Sequence, residues 1–369
     1  MPRRFNAVSV EMCHVGNTEE RTLNTQKFPS IQAISENPAD TGLSRERSTH
    51  TQDAVGKRAR VAILIPTFRR PDSLESLLRM IDEAVRHNQP SLEDNWQLKI
   101  FIADNDATGR EGSQRAAELD EALVVDLEII DEPRPGVSYV RNRLVAAALA
   151  WQARYLLMID DDEWPSGDWI SNMLNTAEHY SADIVSGPVR PDFEVKPPAW
   201  IIDNFLFDDV PLSTGEFPDV QRTGNTLLRS EQLIDQHRFP DKEWFCVELG
   251  RIGGEDSHLI EALVKDGARH VWCEEAAVHE RIPAQRLSLE YLGARAFRCG
   301  NAGMRYRSML MPGLHWSCIR VGKSLFLFMR WLMLSYRLLS PGLRSLHQLD
   351  WQVIRGRFNA HLGRFQQFY

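Results

Sequence analysis

Cysteine, long apolar runs and an excess of basic charge are scarce or missing in this sequence. Five cysteines are spread over 369 residues without a Cys-x-x-Cys pair, which favours reduced thiols over a disulfide framework or a cysteine zinc site. No uninterrupted apolar run reaches the ~20 residues that a membrane-spanning helix needs, and the first residues lack the apolar core of a signal peptide. The net charge of -8 argues against a nucleic-acid-binding protein, which usually has a basic face.

Two common motifs are absent as well. No Gly-x-Gly-x-x-Gly follows the first predicted strand, which leaves little support for a dinucleotide-dependent oxidoreductase, and no His-Glu-x-x-His occurs. Residues 1–57 are polar and lack a regular apolar pattern, so we expect them to form a disordered extension.

Strands and helices alternate from residue 58 onward. Residues 61–65 form an apolar, β-rich run typical of a buried parallel strand, and Pro71 opens a helix with leucines at helical spacing. The rhythm that follows predicts a wound α/β sheet. Ligands of such sheets bind at the carboxyl ends of the strands. Three of those ends carry polar side chains: Thr67, Asp104 with Asp106, and Asp160 with Asp162.

The third of these ends is an unusual accumulation of like charge. Asp160, Asp161, Asp162 and Glu163 follow the apolar run at residues 155–159. A solvated turn that caps the next helix would account for one aspartate, but three in a row exceed that need. Hard cations such as Mg²⁺ bind carboxylate oxygens, and Mg²⁺ usually takes one or two of them together with substrate phosphates. The cluster therefore favours a nucleotide diphosphate held through a metal.

Seven motifs in fixed order carry a resemblance to a known family. They are "ILIPTFRRP", "IADND", "RPGVSYVRNRLVAAAL", "YLLMIDDDEWPSGDWI", "TGNTLLR", "GGEDSHLIEALVKDGAR" and "AAVHERIPAQRLS". Together they resemble family 2 glycosyltransferases of the GT-A fold, and in particular bacterial succinoglycan-type exopolysaccharide glucosyltransferases. The resemblance implies a GT-A domain, a Rossmann-like mixed sheet flanked by helices, over residues 58–305.

The resemblance also implies a nucleotide-sugar site that uses Mg²⁺ or Mn²⁺. Asp104, with Asp106 as the alternative, accepts a hydrogen bond from uracil, Asp160 faces the ribose or the donor sugar, and Asp162 binds the metal. His279 is a candidate metal ligand, although a lone histidine is as often a structural residue. The implied nucleotide-sugar residues are Pro66, Thr67, Arg69, Asp104, Asp106, Arg141, Asp160, Asp161 and Arg286.

A second acidic pair supplies the implied catalytic base. Gly253 and Gly254 permit close backbone approach, and Glu255 and Asp256 follow at a helix start, where the charged carboxylate is favoured. Simple capping is the alternative. In the resembling family the aspartate takes the proton of the acceptor hydroxyl, which attacks the anomeric carbon from the face opposite the leaving diphosphate. Asp256 is thus the implied base and Glu255 an accessory group, and the product is inverted.

Two segments bear on the acceptor. "QRL" at residues 285–287 departs from the Q-x-x-R-W pattern of processive synthases and favours single additions, with Arg286 able to clamp a diphosphate. Trp200, Phe205 and Phe207 form a candidate acceptor platform, and Asn225 a candidate acceptor contact. A loop whose aromatics pack on the core is the alternative.

The C-terminal region, residues 306–369, differs in charge from the rest. Residues 300–369 contain ten Lys or Arg and one acid, Asp350. A spanning helix would bury Arg330 near its middle at ~3 kcal/mol or more. An interfacial helix would instead bury Leu325, Phe328, Trp331 and Leu332 in the headgroup region. The alternative is a tail packed on the catalytic domain or on a second subunit.

These features predict an inverting transferase that moves a sugar from a UDP-sugar to a hydroxyl of a lipid-linked saccharide. We expect it to act in exopolysaccharide or cell-surface glycan synthesis, at the cytoplasmic face of the plasma membrane, because basic residues are attracted to the anionic inner leaflet. Two alternatives stay open: a metal-dependent phosphohydrolase, and a non-catalytic membrane-associated scaffold with the same fold.

Overall fold

The computed structural model describes residues 58–204, 206–207, 211–219, 222–235, 237–239 and 241–367. The extension predicted at residues 1–57 lies outside the described residues, as does Phe205 of the candidate acceptor platform.

A seven-stranded sheet with the order β3-β2-β1-β4-β8-β6-β9 forms the centre of the fold. Strands β1 to β4 run parallel, whereas β8 runs antiparallel to both of its neighbours. The first four strands confirm those predicted from the apolar runs. The strands of this sheet are β1 (Ala59–Thr67), β2 (Trp96–Asp104), β3 (Asp126–Asp131), β4 (Tyr155–Met158), β6 (Ile184–Ser186), β8 (Thr226–Arg229) and β9 (His270–Trp272).

Helices cover both faces of this sheet, because the side chains of a strand alternate between its faces. In β1, Ile63 and Ile65 join one apolar cluster and Ala62 and Leu64 the other. The first cluster includes residues of α1 (Pro71–Asn95), α2 (Glu111–Leu119) and α4 (Trp169–His179). The second includes residues of α3 (Val137–Ala150) and α6 (Glu255–Lys265). A continuous apolar strand sequence is therefore what burial on both faces requires.

A small second sheet lies beside the acidic cluster. It consists of β5 (Glu163–Pro165), β10 (Val278–Ile282) and β7 (Val189–Phe193), with β10 in the middle. Its register sets Glu280 opposite Glu163 and His279 opposite Trp164. The sequence predicts that His279 follows a single short strand. In the structure the chain turns after β9, and His279 lies inside β10.

Three long helices complete the chain, after the one-turn helix α5 (Ala199–Ile202). They are α7 (Leu289–Leu310), α8 (Leu314–Met333) and α9 (Pro341–His361). The domain boundary expected after residue 305 falls inside α7, so the predicted GT-A domain and the C-terminal region share a helix. Helix α9 packs closely on α7: a Cβ atom on Gly300 would lie 2.2 Å from the carbonyl oxygen of Val353, and one on Gly356 2.2 Å from that of Phe297.

Helix α8 is much less covered by the rest of the chain. Ser324 is its one buried residue, while Phe326, Met329 and Met333 are 67%, 56% and 79% exposed. Among the residues described, no helix combines the length and apolar character needed to cross a membrane.

The glycine contact between α7 and α9 can be tested by substitution. Gly300→Ala places a methyl group against backbone that cannot move aside, so we expect a loss of ~1–3 kcal/mol in the free energy of unfolding. Gly322→Ala on α8 is the matched control, because a Cβ atom there meets nothing within 4 Å and alanine favours a helix. Urea denaturation of both variants measures the difference. Equal stabilities would show that α7 and α9 are not in close contact.

Candidate active site

The carboxyl ends of β1, β2 and β4 meet at one edge of the main sheet. Thr67 at the end of β1 is in register with Asp104 at the end of β2, and Asp160 to Asp162 follow β4. The Thr67 hydroxyl donates a hydrogen bond to Asp161 Oδ2 over 2.8 Å. This edge is where the wound sheet predicts a ligand site.

Arginines hold the acidic cluster together. Arg70 Nη1 lies 2.8 Å from Asp161 Oδ1 and 2.8 Å from Asp162 Oδ2. Arg286 Nη2 lies 3.3 Å from the same oxygen of Asp162, and its other terminal nitrogen pairs with Glu280. Two guanidinium groups thus meet at the carboxylate of Asp162, which is 18% exposed.

Negative charge nevertheless exceeds positive charge here. Burial raises the pKa of the Asp161 carboxyl to about 6. Burial, with Asp160 as the next cause, raises the pKa of Glu163 well above its usual value. Burial and Asp162 likewise raise the pKa of Glu280. Burial and neighbouring carboxylates disfavour the ionised forms of these groups, and a bound cation would favour them.

Arg141 joins this cluster to the second acidic motif. Its Nη1 donates to Glu255 Oε1 over 2.8 Å and its Nη2 to Asp160 Oδ1 over 3.3 Å, and its side chain is 8% exposed. Burial alone would lower the pKa of Arg141, but Asp160, Glu255 and Asp256 raise it. Arg141 therefore forms an ion pair with one carboxylate of each acidic motif.

The second motif stands at the start of α6. Gly253 and Gly254 have φ values of +91° and +92°, which favour glycine. Burial and Asp256 raise the pKa of Glu255 to about 7, and burial raises the pKa of Asp256 as well. A carboxylate with a raised pKa is a stronger proton acceptor once it is ionised.

The expected uracil pocket contains two buried aspartates. Asp104 Oδ1 accepts from the backbone N–H of Asp106 and its Oδ2 from that of Ser113, over 2.9 and 2.8 Å. Asp106 Oδ2 lies 3.4 Å from Nε of Arg69, whose side chain is 61% exposed. Both carboxylates thus lie at the end of β2, and the choice between them as the base-recognition residue stays a prediction.

Two comparisons with known proteins identify the family. Residues 62–250 match the model of glycosyl transferase family 2. The succinoglycan biosynthesis protein ExoM of Rhizobium meliloti (strain 1021) is 31% identical over 262 residues, which cover 69% of this chain and 77% of that protein. The chain belongs to glycosyl transferase family 2. It is a glycosyltransferase of the GT-A fold. This favours the predicted sugar transferase over a metal-dependent phosphohydrolase and over a non-catalytic scaffold.

Two solved structures show a likeness to this glycosyltransferase at low sequence identity. Residues 1–349 of S. aureus TarS in complex with UDP give a TM-score of 0.47 at 10% identity, covering 84% of this chain and 94% of that one. The mannosyltransferase PcManGT of Pyrobaculum calidifontis, in complex with GDP-Man and Mn²⁺, gives 0.48 at 14% identity, covering 84% and 89%.

Asn225 of this glycosyltransferase does not face an acceptor, contrary to the sequence-based expectation. It is fully buried. Its amide nitrogen donates to the carbonyl oxygens of Pro188 and Ala276, over 2.9 and 2.8 Å, and its amide oxygen accepts from Trp169 Nε1. All these groups belong to the core, so Asn225 fixes the backbone behind the site.

His279 is also placed differently from the expectation of a metal ligand. Its neighbour in β10, Glu280, faces Asp162 and Arg286, as their charge interactions show. Because adjacent side chains of a strand point to opposite faces, His279 points away from the acidic cluster. Within the described ranges, no group of three or more His, Cys, Asp or Glu side chains is arranged to hold a metal.

The aromatic segment before β8 lies against the C-terminal helices. Trp200 of α5 and Phe207 are half-buried, and both pack on the apolar cluster that includes Leu349 and Val353 of α9. This is the packing alternative that the sequence left open. A role of Trp200 in acceptor binding stays a prediction.

Sequence patterns missed Arg70 and Glu280 and gave Glu163 no role of its own within the acidic cluster. Arg70 follows Arg69 and, unlike it, turns toward the acidic cluster. Glu163 lies against Gly224, where a Cβ atom would be 2.6 Å from Oε1 of this glutamate. The glycine in "TGN" is a local signal of that close approach.

Proposed function

We infer that this glycosyltransferase transfers a sugar from a UDP-sugar to a hydroxyl group of a lipid-linked saccharide, with inversion at the anomeric carbon. The observation that carries the proposal is the bridge of Arg141 between Asp160 and Glu255. Through this bridge, a carboxylate of the acidic cluster and a carboxylate at the start of α6 both contact the buried guanidinium of Arg141. The name of the Rhizobium relative supports a role in exopolysaccharide or cell-surface glycan synthesis.

On the donor side, residues at the ends of β1 and β2 form the nucleotide pocket. Pro66, Thr67 and Arg69 border it, and Asp104 or Asp106 receives the uracil edge. The arginines of the acidic cluster, Arg70 and Arg286, are suited to a diphosphate, because a guanidinium pairs with phosphate through two donors. In this proposal both guanidinium groups leave Asp162 and pair with phosphate oxygens when the donor binds.

The acidic cluster also fits Mg²⁺ or Mn²⁺. Its oxygen ligands suit a hard cation, and Mg²⁺ needs one or two protein carboxylates when substrate phosphates supply the rest. Burial and the charge of neighbouring carboxylates raise the pKa values of Asp161, Glu163 and Glu280, and a cation would offset both effects. Asp162 would hold the ion, with Glu280 rather than His279 nearby. When bound, the ion supplies Lewis-acid stabilisation of the departing diphosphate.

Asp256 serves as the general base in this proposal. It removes the proton of the acceptor hydroxyl as that oxygen bonds to the anomeric carbon, while the bond from this carbon to the diphosphate oxygen breaks on the opposite face. Arg141 favours the ionised form of Asp256, since its charge opposes the effect of burial. Glu255 holds Arg141 in position.

The acceptor side of the proposal rests on α8. Leu325 and Leu332 are 50% and 43% exposed, as an interfacial helix requires. Phe328 and Trp331, also expected at the lipid surface, pack instead on α9, where the Trp331 ring centroid lies 4.9 Å from that of Trp351. Residues 291–349 contain nine Lys or Arg and no acid. An apolar face on such a basic segment suits the anionic inner surface of the plasma membrane.

The first test concerns the metal. Asp162→Asn keeps the shape of the side chain but removes its charge, so UDP should bind the variant with an affinity that no longer rises with Mn²⁺. Calorimetric titration of UDP with and without Mn²⁺ measures this. The control is Asp192→Asn, a charge in β7 that pairs with Arg281 at the surface. If the affinity of Asp162→Asn for UDP still rises with Mn²⁺ as in the wild type, Asp162 is not a metal ligand.

The second test concerns the base. Asp256→Asn cannot take up the acceptor proton, so transfer should fall by ~10²–10⁴-fold while UDP-sugar affinity persists. Donor affinity and single-turnover transfer are measured on the same preparation. Asp266→Asn, at the other end of α6, is the control. Near-normal transfer by Asp256→Asn would move the base elsewhere, first to Glu255.

The third test concerns the exposed face of α8. Phe326→Glu combined with Met329→Glu should weaken binding to phosphatidylglycerol vesicles by roughly tenfold or more, because each side chain gives ~1.5–3 kcal/mol on full burial. Phe217→Glu is the control, since Phe217 is 59% exposed and lies outside the C-terminal helices. Vesicle flotation measures the change. Point substitutions are preferable to deletion of residues 309–369, which would also remove α9 from α7. Unchanged flotation of the double variant would show that this face of α8 does not bind the membrane.

A further inference from the structure

Asn142 of α3, the neighbour of Arg141, holds a residue that lies 103 positions further along the chain. Its amide nitrogen donates to the carbonyl oxygen of Phe245 over 2.8 Å, and its amide oxygen accepts from the backbone N–H of Phe245 over 2.8 Å. Both hydrogen bonds keep their geometry only while the two peptide groups keep their orientation. Asn142 therefore fixes the path of the backbone at Phe245.

Further hydrogen bonds connect this attachment to the start of α6. The Ser138 hydroxyl, one turn earlier on α3, donates to the carbonyl oxygen of Cys246 over 3.0 Å. That oxygen also accepts from the backbone N–H of Gly250 over 3.2 Å, and the N–H of Gly253 donates to the carbonyl oxygen of Leu249 over 2.7 Å. The segment that leads to the two acidic residues of α6 is thus bound to α3 at its beginning and closed by its own hydrogen bonds.

The ring of Phe245 lies against the guanidinium of Arg141. Cζ of Arg141 is 5.7 Å from the ring centroid, and Phe245 is fully buried in the apolar cluster that α3 and α6 share. An aromatic face attracts a guanidinium, and the attraction is stronger where water is excluded. Arg141 therefore has three contacts that hold its charge in place: this ring and one carboxylate on either side, from Asp160 and Glu255.

We propose that Asn142 and Phe245 are positioning residues for Arg141 and, through it, for the general base Asp256. Asn142 fixes the backbone of Phe245, and the ring of Phe245 fixes the guanidinium between the two acidic motifs. Two carboxylates alone would let the guanidinium move toward either one, whereas the ring holds it within reach of both. This inference rests on the proposed function, in which Asp256 takes the proton of the acceptor hydroxyl.

The surroundings of Asp256 give this role a measurable consequence. Its carboxyl interacts with those of Asp160 and Glu255, with the guanidinium of Arg141 and with the phenol of Tyr306. Burial raises the pKa of Asp256, and Arg141 has the largest opposing effect. If the guanidinium moves away, the pKa of Asp256 should rise, and a base that acts only when ionised then needs a higher pH. The acid limb of the pH–rate profile therefore depends on the position of Arg141.

The experiment compares Phe245→Leu with Phe101→Leu. Both remove a fully buried ring from the same apolar cluster, but Phe101 lies in β2, where its ring contacts Trp151. UDP release, with water as the acceptor, is followed across pH with UDP-glucose, UDP-galactose or UDP-N-acetylglucosamine, whichever the wild type cleaves fastest. Phe245→Leu should lower kcat roughly tenfold, because a desolvated cation–π contact is lost, and should move the acid limb to higher pH. Phe101→Leu should keep the acid limb of the wild type.

UDP affinity separates positioning from a general loss of structure. Calorimetric titration should give Phe245→Leu the UDP affinity of the wild type, because the nucleotide pocket lies at the ends of β1 and β2. A parallel fall in UDP affinity and kcat would show that Phe245 serves the fold alone and would overturn the proposal. An acid limb that stays at the wild-type pH in Phe245→Leu would overturn it as well, whatever the change in kcat.

Asn142→Ala repeats the test should Phe245→Leu not fold. It removes both hydrogen bonds to the backbone of Phe245, so it should move the acid limb in the same direction while UDP affinity persists. An acid limb unchanged in Asn142→Ala would show that Asn142 does not position Arg141.

Failure of the proposed function has a different signature. A wild type that releases no UDP from any of the three donors would overturn the UDP-sugar donor and the positioning role with it. Normal transfer by Asp256→Asn would overturn the base. A wild type that cleaves a donor through Asp256, but whose acid limb does not respond to Phe245→Leu, would lose the positioning role alone.

Discussion

The guanidinium of Arg141 is the interaction on which the two halves of the site depend. It lies between Asp160, which follows β4, and Glu255, which opens α6, two positions 95 residues apart in the chain. Without a buried cation the carboxylates of the two segments would repel each other at short range. The approach of α6 to the end of β4 therefore depends on this charge as well as on the apolar contacts beneath it.

The same pairing of arginine with carboxylate accounts for the positions of the two other arginines of the site, Arg70 and Arg286. Arg70 and Arg286 both reach Asp162, from α1 and from the turn before α7. They hold the acidic cluster together, although burial keeps the pKa values of Asp161 and Glu280 raised. The site thus has more carboxylates than one cation would neutralise fully, and two arginines suited to a diphosphate. Metal and donor together would satisfy both, which is the electrostatic reason to expect them to bind as a unit.

Local sequence patterns predicted the parts of the site that depend on one segment alone. The apolar strand runs gave β1 to β4, and the polar residues after them gave the edge at which Thr67, Asp104 and Asp160 meet. Asn225 could not be predicted in this way, because its partners Pro188 and Ala276 lie 37 and 51 residues away. The placement of His279 failed for a similar reason. A turn between β9 and β10, not visible in an apolar run, decides that Glu280 rather than His279 faces the cluster.

The amino-acid composition of the C-terminal helices does not determine which face of α8 packs on the rest of the chain. The basic, apolar character of α8 was evident from its sequence, but both of its faces carry large apolar side chains. Packing on α9 selects Phe328 and Trp331 for the inner face and leaves Phe326, Met329 and Met333 outside. Close contact at Gly300 and Gly356 joins α9 to α7, and Tyr306 of α7 lies against Gly254, directly before Glu255 and Asp256. A surface that binds α8 would thus be connected through two packed helices to the backbone that positions Asp256.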